Sequence, residues 1–197
     1  TRIAFSTYSG GIYILDQTSD VIEKVPLPNE MLNYRIMSLL VDDKDLWIGT
    51  RTAGLFRFNL ATNNMLHFSH DESNQFSISA NSITDIVKLN NGELWVSTYH
   101  KGLNKLNDDL TFSRFLPNEH QPELGPSSDH ILKIIEDEFG HLWFATYGGG
   151  LNRMDLDTKM FSHLTHDETN SESISSDLSW IVFRDNAGNL WAGTQAA

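Results

Sequence analysis

The chain has 197 residues, 40% hydrophobic and 11% aromatic, which is enough to bury a core and excludes a disordered tail. Its 14 Lys and Arg against 26 Asp and Glu give a net charge of −12, which argues against nucleic acid as a partner and against direct membrane contact. Cysteine is absent, so disulfides, thiolate metal sites and cysteine nucleophiles are excluded.

In chain order, the first element is Ile3-Ala4-Phe5-Ser6-Thr7, a degenerate copy of a unit that then recurs. It returns as Leu46-Trp47-Ile48-Gly49-Thr50, Leu94-Trp95-Val96-Ser97-Thr98, Leu142-Trp143-Phe144-Ala145-Thr146 and Leu190-Trp191-Ala192-Gly193-Thr194, with the leucines 48 apart. Four residues after the threonine stands Gly11, Gly54, Gly102 or Gly150, followed by Ile12, Leu55, Leu103 or Leu151. A glycine-containing turn between two short apolar runs reads as a hairpin. Upstream of each Leu-Trp lies another apolar run, such as Ile131-Leu132-Lys133-Ile134-Ile135 or Trp180-Ile181-Val182-Phe183. Asp137-Glu138-Phe139-Gly140 and Asp185-Asn186-Ala187-Gly188 then form tight turns into the Leu-Trp strand. A fourth run, Met65-Leu66-His67-Phe68 or Phe161-Ser162-His163-Leu164, closes the period.

One period therefore holds four short strands, A to D, and no segment carries a long helical periodicity. The chain reads as B-C-D, three full A-B-C-D sets, then A-B. The fold class is all-β: a β-propeller over residues 1–197, about four blades of four antiparallel strands, with repeat starts near 1, 46, 94, 142 and 190. The repeated tryptophans are expected to fill the space between blades.

The pattern Asp-x-x-Gly-x-Leu-Trp-x-Gly/Ala/Ser-Thr-x-x-x-Gly-Leu, fullest from Gly140 to Leu151, resembles the two-component-regulator propeller repeat. Ser77-Ile78-Ser79-Ala80-Asn81 and Ser173-Ile174-Ser175-Ser176-Asp177 resemble that family's inter-blade linker. The first copy departs from the pattern at Ala4-Phe5, and Arg51-Thr52-Ala53-Gly54 departs from its glycine-rich turn. The resemblance implies a periplasmic sensory ectodomain of a membrane-anchored bacterial signalling protein. Its cytoplasmic output would be a histidine kinase or a diguanylate cyclase, and its ligand a small molecule such as an oligosaccharide. It also implies a seven-bladed parent ring, of which this chain would be an arc; a closed four-bladed ring is the alternative. An open arc would self-associate through its bare blade edges, or through a dimeric parent.

Candidate ligand contacts cluster at the B-to-C turns and D-to-A linkers. The residue after each threonine is Tyr8, Arg51, Tyr99, Tyr147 or Gln195, and a rim of tyrosines suits the flat faces and polar edges of sugars. Trp180, where other copies have Met37, Thr84 and Leu132, breaks the repeat and is a candidate contact. Asn81, Asp129 and Asp177 share one position and are expected to cap backbone amides, Asp129 being also a candidate contact. His100 and His130 sit at the rim, where they could tune ligand binding. The His67/His70 and His163/His166 pairs read as structural, because strand residues three apart face opposite ways. No calcium loop, phosphate loop, nucleophile elbow or cofactor motif is present, and Asp85 is the main carboxylate that the repeat leaves unexplained. A catalytic residue set, a metal and a cofactor are therefore not expected. Besides a ligand sensor, a protein-interaction scaffold and a carbohydrate hydrolase or lyase share the fold.

Overall fold

The computed structural model describes residues 2–7 and 11–195. Seventeen short strands lie among these described residues. β1 (Arg2–Ser6), β2 (Ile12–Asp16) and β3 (Val21–Lys24) form the first sheet. The second comprises β4 (Ile36–Asp42), β5 (Asp45–Thr50), β6 (Leu55–Asn59) and β7 (Met65–Phe68). The third comprises β8 (Ile83–Lys88), β9 (Leu94–Thr98), β10 (Leu103–Leu106) and β11 (Phe112–Phe115). The fourth comprises β12 (Ile131–Glu136), β13 (His141–Thr146), β14 (Leu151–Asp155) and β15 (Phe161–Leu164). β16 (Ser179–Arg184) and β17 (Leu190–Thr194) make the fifth. Every pairing is antiparallel between sequence neighbours. The only helical turns among the described residues are two 3-10 segments, Asn29–Asn33 and Pro122–Leu124.

Successive sheets stack like blades, with one apolar core in each gap. Ile12, Val25 and Met31 meet Leu46, Ile48, Phe56 and Phe58 between the first and second sheets. Trp47 and Leu55 meet Ile83, Ile86, Leu94 and Val96 in the next gap. Trp95 and Leu103 then meet Ile131, Ile134, Leu142 and Phe144, and Val182 closes on Ala145 and Leu151 in the last gap. Among the described residues no sheet closes the set into a ring, so this is a partial propeller. Its two end faces stay bare, with Ile3, Phe5, Val21 and Ile22 exposed at one end and Ile181, Phe183 and Trp191 at the other.

The Thr-x-x-x-Gly element of the repeat is a hydrogen-bonded clasp. The amide and hydroxyl of Thr50 both donate to the Gly54 carbonyl, at 3.1 and 2.8 Å. Thr98 does the same to Gly102 and Thr146 to Gly150. Glycine is required at the second position because φ is +82° at Gly54 and +70° at Gly150. A Cβ there would also lie only 2.3 Å from the Phe68 carbonyl oxygen and 2.2 Å from that of Leu164. A stereochemical and a steric demand thus coincide at one residue.

The repeated tryptophans also donate their indole N–H to a local carboxylate: Trp95 to Glu93 at 3.0 Å, Trp143 to Asp137 at 2.8 Å and Trp191 to Asp185 at 2.9 Å. Trp47 differs, and its buried Nε1 has no partner. There the connection between β4 and β5 is only Asp43-Lys44, and the nearby carboxylates are engaged elsewhere. Asp42 pairs with Lys88 at 2.5 Å, and Asp45 accepts from Asn59 at 2.9 Å and pairs with Arg57 at 2.5 Å.

Candidate functional site

Each innermost strand carries a break in its ladder at the same place. The register shifts between Ile36 and Ser38, between Ile83 and Asp85, between Ile131 and Lys133, and between Ser179 and Ile181. The residue left out is Met37, Thr84, Leu132 or Trp180. A bulge turns one side chain away from the ladder and bends the strand, which is why bulges so often stand beside binding sites. Two residues before each bulge, a carbonyl accepts the amide of the residue after the repeated threonine. The pairs are Arg35 with Arg51, Ser82 with Tyr99, His130 with Tyr147 and Leu178 with Gln195, at 2.9–3.0 Å. Each of these four sheets thereby brings its bulge and its B-to-C turn to one end of its inner strand.

The candidate residues converge at that end. The Tyr99 ring lies 4.5 Å from His100 and 4.7 Å from His130, and the two imidazoles are 4.7 Å apart. His130 lies 6.5 Å from Tyr147, whose ring meets Trp180 edge-on at 5.6 Å. The result is a continuous aromatic run across the third, fourth and fifth sheets. Trp180 is half exposed and donates its indole N–H to Gln195 at 3.2 Å, so its ring is held without being buried. Asp129 fixes His130 through Oδ1 to Nδ1 at 2.7 Å. Arg51 joins the run from the second sheet. It lines a cleft of about 450 Å³ with Asn81, Ser82, Tyr99 and His100. Tyr8 lies outside the described residues.

The remaining polar candidates sort into structural roles. Asn81 and Asp177 cap the amides of His70 and His166, each at 2.7 Å, as their shared position predicts. Asp129, at the same position, instead pairs with His130. The His-x-x-His residues bind backbone carbonyls: His67 that of Ala53, His70 that of Ile78, His163 that of Gly125 and His166 that of Ile174. His67 also stacks on Phe56 at 4.1 Å. No group of three or more His, Asp and Glu residues is arranged to hold a metal among the described residues.

Asp85 is an inter-blade tie. Nearly buried, it accepts from the Ser38 hydroxyl at 3.1 Å, the Lys133 ammonium at 3.0 Å and the Ile134 amide at 3.0 Å, linking the second, third and fourth sheets. At Asp137, burial pushes the carboxyl pKa up. Donation from the Trp143 indole, the His141 amide and ring and the Phe139 amide outweighs that, and the net shift is downward. These donors hold the turn before β13, well away from the aromatic run. The sequence missed the bulge, since a register break has no single-residue signature; the odd tryptophan at Trp180 was its one visible trace.

The two-component regulator propeller model matches residues 77–100 and 125–148. Each match runs from a linker through an inner strand and its bulge to the B-to-C turn, so it spans Tyr99, His100, Asp129, His130 and Tyr147. No curated protein is similar enough to this sequence to count as a match. Among solved structures, the extracellular domain assigned to the hybrid two-component system BT3049 of B. thetaiotaomicron superposes with a TM-score of 0.72 at 20% identity. The match covers 97% of this chain and 27% of that one. The corresponding domain of BT4673 gives 0.60 at 19% identity, over 98% of this chain and 30% of the other. PorZ, a surface component of the type-IX secretion system of Porphyromonas gingivalis, gives 0.75 at 17% identity, over 98% and 29%. The chain thus spans less than a third of each of these proteins, and at such identities the likeness establishes the propeller fold. Residues 77–100 and 125–148 are therefore two-component regulator propeller repeats set in a propeller fold.

Proposed function

We propose that this chain is a ligand-sensing propeller segment of an extracytoplasmic sensor, and that the aromatic mouth is its binding site. The observation that carries the reading is the run Tyr99–His100–His130–Tyr147–Trp180, in which flat rings from three separate sheets lie edge to edge at one end of the inner strands. Such a surface suits an oligosaccharide, which offers apolar ring faces to aromatic side chains and hydroxyls to Asp129, His100 and the tyrosines. The matched repeats and the extracellular two-component domains that share the fold support an extracytoplasmic setting. Among the described residues no helix is long and apolar enough to cross a membrane.

A ligand that touches three sheets at once favours one relative arrangement of those sheets over others. Differential affinity of that kind is what a sensor needs to bias a two-state output. The output in this reading is a cytoplasmic histidine kinase or diguanylate cyclase in the same parent protein. Calorimetric titration with a series of oligosaccharides tests the site. A saturable heat is expected, weakened about tenfold or more by Trp180→Ala, as for a central aromatic contact. Binding that Trp180→Ala and Tyr147→Ala both leave unchanged would place the ligand elsewhere.

A further inference from the structure

The mouth of this acidic protein presents two exposed cations, Arg51 and Lys101. Acidic residues outnumber basic ones 26 to 14 over the chain. Away from the mouth, Arg57, Lys88, Lys105, Lys133 and Arg184 are each paired with a carboxylate. Arg51 is exposed and its guanidinium makes no ion pair among the described residues. Lys101, exposed in the same turn as Tyr99 and His100, makes none either.

The cleft that Arg51 shares with Tyr99 and His100 is lined by no carboxylate. At the linker position where the fourth and fifth sheets have Asp129 and Asp177, this cleft has Asn81, whose Oδ1 is taken by the His70 amide. Asp129, at the neighbouring station, is held by His130, and Asp177 by the His166 amide. The Arg35 carbonyl anchors the Arg51 amide at 3.0 Å, so the turn that presents the guanidinium is fixed in place.

We infer that the mouth recognises an acidic saccharide, with Arg51 receiving its carboxylate and the Tyr99–Trp180 run stacking its rings. The inference rests on the proposed function and narrows its ligand class. A guanidinium presents a rigid fork that matches a carboxylate with two parallel charge-assisted hydrogen bonds, stronger than those it makes to the hydroxyls of a neutral sugar. Lys101 adds a second exposed cation, on the turn of the third sheet that carries Tyr99 and His100. The acidic body repels an anion at long range, but at physiological salt that field decays over about 8 Å, whereas the Arg51 contact is direct.

The test is a calorimetric comparison of matched oligosaccharides, galacturonate against galactose and glucuronate against glucose trimers, on the wild-type chain and on Arg51→Gln. The acidic member of at least one pair is expected to bind about tenfold or more tightly than its neutral partner, a preference that weakens as salt is raised. Arg51→Gln should abolish the preference while leaving the melting temperature of the free chain unchanged, since its side chain is exposed. Equal binding of the acidic and neutral members, or a preference that survives Arg51→Gln, overturns the inference and leaves the aromatic site standing. Binding of neither member in any pair overturns both.

Discussion

Replacing Trp95 with alanine is expected to destabilise the chain by about 3–5 kcal/mol, the range for removing a large aromatic from a packed core. The same change at Trp191 is expected to cost about 1 kcal/mol or less, as at other surface positions. The two residues occupy the same place in the repeat. Trp95 is 0% exposed and packs against Leu103, Ile131, Ile134 and Leu142, at the interface between the third and fourth sheets. Trp191 is 60% exposed, because no sheet covers that face of β17. Burial between blades, and not the tryptophan itself, therefore sets the effect. Trp47→Phe belongs to the same series: its indole N–H has no acceptor, so the change removes no hydrogen bond, whereas Trp143→Phe takes a donor from Asp137. Urea unfolding of these variants side by side checks the account, and similar losses for Trp95→Ala and Trp191→Ala would contradict it.

The second large effect is expected at Asp85. Asp85→Ala removes the acceptor of the Ile134 amide, which lies on a strand whose Ile134 side chain is 1% exposed, and frees the Ser38 hydroxyl and the Lys133 ammonium. Leaving a buried amide unpaired and losing bonds to a charged group costs about 2–3 kcal/mol. The ammonium adds little, because the Lys133 side chain is 42% exposed and water replaces its partner. Asp85→Asn keeps one acceptor oxygen and should lose less than half as much. Equilibrium unfolding that finds Asp85→Ala as stable as the wild type would show that the three-sheet tie contributes nothing.

Much of this architecture was legible in the sequence, for a specific reason. The Leu-Trp copies mark the starts of β9 and β17 at Leu94 and Leu190, and the Thr-x-x-x-Gly clasp fixes where each B-to-C turn lies. Both recur because one local hydrogen-bond pattern recurs. The strand order B-C-D, three full sets and A-B is the one observed, and the structure takes the open form over the closed four-bladed ring.

The site was legible only in part. Tyr99, Tyr147, His100 and His130 could be placed at one rim by their repeat position, but their ring contacts depend on the packing of successive sheets, which no spacing encodes. Trp180 stood out as a residue the repeat does not demand, and the bulge that presents it emerges only from the ladder register. Asp85 shows the opposite case. It stood out for the same reason, yet its partners come from two other sheets and make it a structural tie.

The central claim is that one end of the inner strands binds the ligand, and amide hydrogen exchange on the intact chain tests it most directly. With a bound saccharide present, slowed exchange is predicted at residues 51–54, 99–102, 128–130, 147–150 and 178–181, spread over four sheets. Protection confined to the outer strands β7, β11 and β15, or to the turns at the opposite end around Asp137 and Asp185, would contradict it.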